Sequence, residues 1–279
     1  MLNCYLAFPK YDPIIFSVGR FSAHWYGLMY LIGFYFIMWS SIKRYKLISL
    51  NKEKIENILY FSFLNALIGG RIGYVIFYKT KEIFFNPYFI FKVWEGGMSF
   101  HGGLLGSIIS IYYFSKKYNC KFFKISDFLV PLIPFGLGFG RIGNFINGEL
   151  WGRVNTSFCF TMLFPGSYDE DVKFLLNNPH LQDVFDKYHL LPRHISQLYE
   201  MFLEGILLFI ILNIFEKKKK PTGYMSGLFL ILYGSFRIIA EFFRQPDPQI
   251  GLMFNYISLG QILSIPMILY GLILIINSK

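Results

Sequence analysis

Residues 258–276 read SLGQILSIPMILYGLILII, a run without a single charged side chain. A helix rises about 1.5 Å per residue, so crossing a hydrocarbon core of about 30 Å takes about 20 such positions. Inside lipid every backbone N–H and C=O must be satisfied within the segment, so this run predicts a membrane-spanning helix. Moving the same window toward the N-terminus finds six more, at 22–42, 57–77, 99–114, 127–147, 196–216 and 224–243. The expected fold is an all-α polytopic membrane protein with seven transmembrane helices. It forms one membrane-embedded domain over residues 1–279.

Composition agrees with that reading. Of 279 residues, 54% are hydrophobic, 20% aromatic and only 16% charged, and the mean hydropathy is +0.43. Soluble domains carry about 25% charged residues, so this chain has too few to cover a water-facing surface. The net charge of +10 is a topology signal. Loops 43–56, 115–126 and 217–223 hold 13 Lys and Arg in 33 positions. Segments 1–21, 78–98, 148–195 and 244–257 hold 10 in 104. Basic-rich short loops stay in the cytoplasm, which puts the N-terminus outside and the C-terminus inside. No nucleic-acid partner is needed to explain the charge. Lys10, Asp12 and Arg20 ahead of the first apolar run read against a cleaved signal peptide.

Two external pieces follow from this orientation. Residues 148–195, with Glu149, Asp169, Glu170, Asp171, Asp183 and Asp186, read as a small extracytoplasmic head. Residues 78–98, rich in aromatics such as Phe84, Phe85, Tyr88, Phe89, Phe91 and Trp94, read as an interfacial arm. Cys4, Cys120 and Cys159 show no zinc spacing, and no metal or cofactor is expected.

Charges inside the predicted spans point to the site. Arg71, Arg141 and Arg237 are embedded, with Glu200, Glu204 and Glu241. An arginine at a helix centre costs roughly 2.5–3.5 kcal/mol to insert, so such groups face a bundle interior, as a functional site or as ion pairs that fix packing. Arg141 and Arg237 both lie about 9 Å below the outer boundary of their spans, and His101 opens the third span from the same side. Two guanidiniums at matched depth suit a phosphate, and a phospholipid headgroup is the nearest one. Asn144 lies one turn beyond Arg141, and Glu241 follows Arg237 by four residues, a spacing suited to an ion pair. Arg71 stays open between a structural and a functional role, His24 reads as structural, and His24 and His194 are rival histidines. The glycine-rich stretches 94–106 and 137–152 fit either close helix packing or backbone contact with a ligand.

At these segments the sequence resembles a known family. HGGL at 101–104, GRIGNFINGELWG at 140–152, HWYG at 24–27 and YGSFRIIAEFFRQPD at 233–247 resemble prolipoprotein diacylglyceryl transferases. GGRIGYVIFY at 69–78 and SQLYE at 196–200 match as well, so the resemblance covers nearly the whole chain. One departure is visible: Ile195 follows His194, where the family usually has proline.

The resemblance implies a bacterial plasma-membrane enzyme for the first step of lipoprotein maturation. It would move the diacylglyceryl group of phosphatidylglycerol onto the lipobox cysteine beside a prolipoprotein signal peptide, forming a thioether and releasing glycerol 1-phosphate. The expected catalytic residues are His101, Arg237, Tyr26 and Glu241. The expected phosphatidylglycerol-binding residues are Arg141, Asn144, Glu149 and Gly152. Within that reading His101 is the candidate base for the thiol, and the arginines neutralise charge on the leaving phosphate. Tyr26 and Asn144 hold glycerol or phosphate oxygens, while Glu149 and Glu241 orient the arginines. The rival reading is a membrane transporter for a phosphate-bearing lipid, which would distribute charges through the full membrane depth. A protease triad lacks its GxSG string, and a plain scaffold would not explain the embedded arginines.

Overall fold

A computed structural model describes residues 5–19, 21–92, 96–246, 251–253 and 256–278. Trp94 of the expected arm, together with Cys4, Arg20 and Asp247, lies outside the described residues. The chain divides into two compact units, residues 34–130 and residues 1–33 with 131–279.

In the unit of residues 34–130, α2 (Lys52–Tyr78) packs along α4 (Phe100–Lys117). The Asn51 side chain accepts from Lys54 N–H at 3.0 Å and starts α2 five residues ahead of the expected span. The crossing is closed by small residues. A Cβ at Gly102 would collide with the Gly69 carbonyl, so the backbones meet directly. The glycines of 101–104 therefore have a packing cause. At one end, Ile48, Leu50, Ile55, Ile58, Phe114, Ile125 and Phe128 form the core, and Lys124 donates to Ser49 Oγ at 2.7 Å.

Arg71 belongs to this unit and has a structural role. Only 4% exposed, it donates to the carbonyls of Phe89 (2.9 Å), Ile90 (3.1 Å), Lys92 (2.8 Å), Gly96 and Gly97. These carbonyls belong to the arm, which contains α3 (Thr80–Phe85) and a 3₁₀ turn at Pro87–Phe91. One guanidinium thus holds the arm on α2, while Phe85, Tyr88 and Phe91 stay exposed. Losing the donor from a buried carbonyl costs about 1–3 kcal/mol. Arg71→Met is therefore expected to cost at least about 3 kcal/mol over several carbonyls. Thermal unfolding in detergent checks this, and an unchanged melting temperature would contradict it.

The second unit contains α6 (Ile133–Ile146), α11 (Tyr224–Glu241), α12 (Leu259–Asn277) and a helix running from Ser196 to Glu216. The expected span 127–147 is in fact two helices, α5 (Phe122–Leu129) and α6. Pro131 and Pro134 interrupt it, because neither has an N–H for the helical ladder. The apolar run 196–216 is continuous but changes winding: α9 (Ser196–Glu200), a π-helical turn at Met201–Leu207, then α10 (Leu208–Glu216). The helix α1 (Trp25–Lys43) begins in this unit.

A purely helical fold is corrected by two small sheets. β2 (Ile14–Val18) pairs antiparallel with β3 (Phe21–His24), ending at the first turn of α1. The head forms a three-stranded sheet in which β4 (Thr161–Leu163) lies between β1 (Leu6–Ala7) and β5 (Pro192–His194). Runs of two to five residues carry too little hydrophobic alternation to be seen beside long apolar windows. The head also holds α7 (Tyr168–Asn177) and α8 (Gln182–Tyr188). Its buried pair joins Arg193 to Asp171 Oδ1 at 2.6 and 2.8 Å, and Asp171 Oδ2 accepts from Ser167 Oγ and Leu191 N–H.

Among the described residues four helices are long and apolar enough to cross a membrane: α1, α2, Ser196–Glu216 and α12. Counting α5 and α6 as one broken span makes five. The expected windows 99–114 and 224–243 are helical, as α4 and α11, but less apolar: lysines end α4, while α11 carries Arg237 and Glu241. The spans leave large apolar side chains uncovered, Tyr35, Trp39, Leu269, Ile273 and Ile276 among them. The protein is a mostly helical, polytopic membrane protein.

Candidate active site

The site grows from one close helix contact in the second unit. A Cβ on Gly205 would stand 2.7 Å from Gly138 Cα, so only glycine lets the π-helical turn press against α6. That contact brings Arg141, one turn along α6, to Glu200 and Glu204. Arg141 Nη1 lies 2.8 Å from Glu200 Oε2, and Arg141 Nη2 lies 3.1 Å from Glu204 Oε2.

Arg237 on α11 joins the same carboxylates. Its Nη1 is 3.3 Å from Glu200 Oε2 and 3.6 Å from Glu204 Oε1. Its Nη2 pairs with Glu241 Oε1 at 2.6 Å, the four-residue ion pair anticipated from spacing. Arg244, just past α11, adds a third guanidinium, 3.7 Å from Glu200 and 3.9 Å from Glu241.

Three arginines thus meet three glutamates, and the formal charges cancel. The layering is uneven. The side chains of Glu200 and Glu204 are 1% and 0% exposed, whereas Arg141 and Arg237 keep 17% and 15%. The carboxylates are the more deeply buried partners, and the arginine side chains keep the partial exposure. Tyr233 on α11 borders the cluster.

Around Tyr26 a second group forms. Its hydroxyl and that of Tyr30 are 3.1 Å apart, and Asn144 reaches the Tyr26 hydroxyl. Asn144 Nδ2 donates to Glu149 Oε1 at 2.8 Å. Where the sequence led to an arginine partner, Glu149 among the described residues accepts from Asn144 and, at 3.5 Å, Asn147. The cause is local. Gly148 (φ +63°) and Leu150 (φ +58°) turn the chain back, and Glu149 N–H donates to the Asn144 carbonyl at 3.1 Å.

Gly152 sits where backbones converge. A Cβ there would lie 2.6 Å from the carbonyl oxygens of both His194 and Phe243, and Gly152 N–H donates to His194 O at 2.9 Å. It joins the head to the end of α11.

A scan against protein families matches residues 13–277 to prolipoprotein diacylglyceryl transferase. The chain belongs to that family. Named phosphatidylglycerol–prolipoprotein diacylglyceryl transferases resemble it over nearly full length. The protein of Citrobacter koseri is 58% identical over 279 residues, covering 99% of this chain and 96% of that protein. That of Pectobacterium carotovorum is 55% identical over 278 residues, and that of Escherichia coli O1:K1 / APEC 56% over 279, with the same coverages. As a member of this transferase family the chain is an enzyme, a multi-pass membrane transferase of lipoprotein biosynthesis.

The residues expected to act in this transferase separate by unit. Arg141, Arg237, Glu241, Tyr26, Asn144, Glu149 and Gly152 belong to the unit just described. His101 belongs to the unit of residues 34–130, exposed in the first turn of α4. Ser99 caps that helix by accepting from Gly102 N–H at 3.3 Å, and its own N–H donates to Gly70 O at 2.8 Å.

The rival histidine His194 is engaged at both nitrogens. Asn155 Oδ1 accepts from Ser157 and Phe158 N–H, which turns Asn155 Nδ2 toward His194 Nε2 at 3.1 Å. His194 Nδ1 lies 3.2 Å from the Tyr199 hydroxyl, and burial pushes the imidazole pKa down.

Glu200, Glu204 and Arg244 had no role from sequence alone. The signal for the glutamates was an acid inside an apolar run. From sequence, Arg244 counts only among the basic residues of segment 244–257, although it falls seven positions after Arg237, on the same helical face.

Proposed function

We propose that this chain transfers the diacylglyceryl group of phosphatidylglycerol to the lipobox cysteine of a prolipoprotein, with release of glycerol 1-phosphate. The named relatives support the reaction. The observation that carries the residue assignment is the Arg141–Arg237 pair, seated on one buried carboxylate, with both arginine side chains partly exposed. Two planar forks side by side suit a phosphodiester, which each can contact through parallel N–H groups.

In this reading the cysteine sulfur bonds to the glyceryl carbon that carries the phosphate ester. The C–O bond to that phosphate breaks, and its electron pair leaves on glycerol 1-phosphate. His101 accepts the thiol proton, since the thiolate is the nucleophile. Arg141 and Arg237 neutralise charge growing on the departing phosphate. Tyr26, Asn144, Glu149 and Gly152 line the headgroup region, and Glu241 holds Arg237.

The surrounding topology is part of the proposal. Seven spans cross the bacterial inner membrane as one membrane-embedded domain, with the N-terminus outside, the C-terminus cytoplasmic and the site in the outer leaflet. Within residues 34–130, the basic loops 43–56 and 115–126 share one end, which supports a common side. In the other unit, Gly152, His194 and Arg244 meet, which supports a common side for 148–195 and 244–257. After removal of native cysteines, Cys at positions 49 and 219 is expected to resist an impermeant thiol reagent in intact cells. Cys at 177 in the head is expected to react. Labelling at 219 with protection at 177 would reverse the orientation.

Purified protein in vesicles of phosphatidylglycerol, given a lipobox peptide, tests the reaction. The peptide mass is expected to rise by one diacylglyceryl group, and a Cys→Ser peptide is expected to stay unmodified. Lipid crossing the bilayer with no peptide modification would favour a transporter.

A further inference from the structure

We infer that Glu200 is the positioning residue for the arginine pair, an inference that rests on the transfer reaction proposed above. Among the described residues it is the one carboxylate within ion-pair distance of all three guanidiniums in the cluster. Its Oε2 lies 2.8 Å from Arg141 and 3.3 Å from Arg237, and its Oε1 lies 3.7 Å from Arg244. Glu204 pairs with Arg141 and Arg237, and Glu241 with Arg237 and Arg244.

Sharing one oxygen has a geometric consequence. Two guanidiniums repel each other, and each sits at the end of a long side chain with much rotamer freedom. An oxygen touched by both sets their separation and removes much of that freedom before a ligand arrives. Because Glu200 is the more deeply buried partner, the pair is held from its buried side, and the N–H groups not paired with carboxylates are left for an anion.

Glu200 is itself firmly placed. It ends α9, whose first residues are tied to the loop after α6: Ser196 Oγ donates to Leu150 O at 2.9 Å, and Gln197 Nε2 donates to Glu149 O at 2.8 Å. The chain enters the π-helical turn at the next residue. A π turn inside a helix is a rare winding that frequently marks a functional site. Here it presents Glu200 and Glu204 together to Arg141.

Glu200 does not touch the reacting atoms in this reading. It acts through the arginines, so its removal alters turnover more than lipid capture. Misplacing a catalytic group by about 1 Å costs on the order of 10² in rate. Glu200→Gln keeps the shape but removes the charge that draws the two guanidiniums onto one atom. With phosphatidylglycerol vesicles and a lipobox peptide, Glu200→Gln is expected to lower kcat by about 10². KM for the lipid should move less than about threefold, since one more net positive charge favours phosphate capture.

The second readout is coupling. In an Arg141→Lys background, Glu200→Gln is expected to cost far less than in wild type, because the partner it positions is already altered. A wild-type kcat in Glu200→Gln, or an equal loss in both backgrounds with a lowered melting temperature, would overturn the positioning role. Should Glu200→Gln fail to fold, Glu200→Asp decides, with an expected kcat loss of about tenfold at a near-normal melting temperature. A wild-type kcat in that variant would overturn the inference equally. Failure of the wild-type protein itself to transfer would instead remove the underlying reaction.

Discussion

Arg141→Gln is expected to lower diacylglyceryl transfer by at least about 10³, with protein still inserted in the membrane. Removing one preorganised donor from developing charge typically costs about 10² to 10³ in rate, and this change removes a full charge and its fork together. The cluster geometry adds a second effect. Glu200 Oε2 and Glu204 Oε2 both lose their nearest cation. Uncompensated buried carboxylates then pull on Arg237, which remains within 3.3 Å of Glu200. Breaking a buried pair from one side costs about 3–5 kcal/mol, so a reduced melting temperature should accompany the kinetic loss. Arg141→Lys separates charge from shape. A lysine ammonium keeps the charge but cannot contact two carboxylates and a phosphate as a planar fork, and about 10- to 100-fold of activity should be lost. Initial rates on folded, purified protein measure both. Full activity in Arg141→Gln would leave the arginine a packing role only.

His101→Gln is expected to abolish most transfer while phosphatidylglycerol still binds. The side chain is exposed in the first turn of α4, with Gly102 and Gly103 following, so a peptide thiol can approach it. General-base assistance is worth about 10² to 10⁴ in rate. The phosphate's cationic partners all lie on α6, α11 and the residues after α11, so lipid capture should persist. A free thiol has a pKa of about 8.5, so the fraction ionised without a base rises steeply from neutral pH through that value. Residual activity in the variant should therefore climb as pH is raised from 7 to 9, more steeply than in wild type. Collapse of lipid binding would make His101 a headgroup ligand or helix-positioning residue. A near-normal rate would end its assignment as the base.

Much of this architecture was legible because lipid imposes simple rules. Runs of about 20 apolar residues such as 258–276 correspond to helices within a few positions. The four-residue spacing of Arg237 and Glu241 became an ion pair because helical periodicity alone fixes that neighbourhood. What failed to show was what depends on partners distant in sequence. Glu200 and Glu204 meet Arg141 across about 60 residues, through a Gly138–Gly205 contact and a π-helical turn that no local pattern announces. Pro131 and Pro134 did announce the break between α5 and α6, but a hydropathy window averages over them. Glu149 was misread for a similar reason: its partner follows from positive φ angles at Gly148 and Leu150, not from the nearby arginine.

Arg71 and Arg141 illustrate how alike embedded charges can look. Both follow a glycine-rich stretch in an apolar window, yet Arg71 spends its donors on backbone carbonyls of its own unit. Arg141 meets side-chain carboxylates and keeps a partly open face. A cation saturated by carbonyls is committed to structure, whereas Arg141 is balanced by side-chain carboxylates and its side chain keeps partial exposure.

The proposed phosphate contact of Arg141 and Arg237 is tested most directly by a structure of the full-length protein with phosphatidylglycerol bound. Lipid phosphate oxygens are expected within about 3 Å of guanidinium nitrogens on both Arg141 and Arg237, with Glu200 still paired to both. A phosphate bound elsewhere, with Arg141 and Arg237 still closed on Glu200 and Glu204, would contradict it.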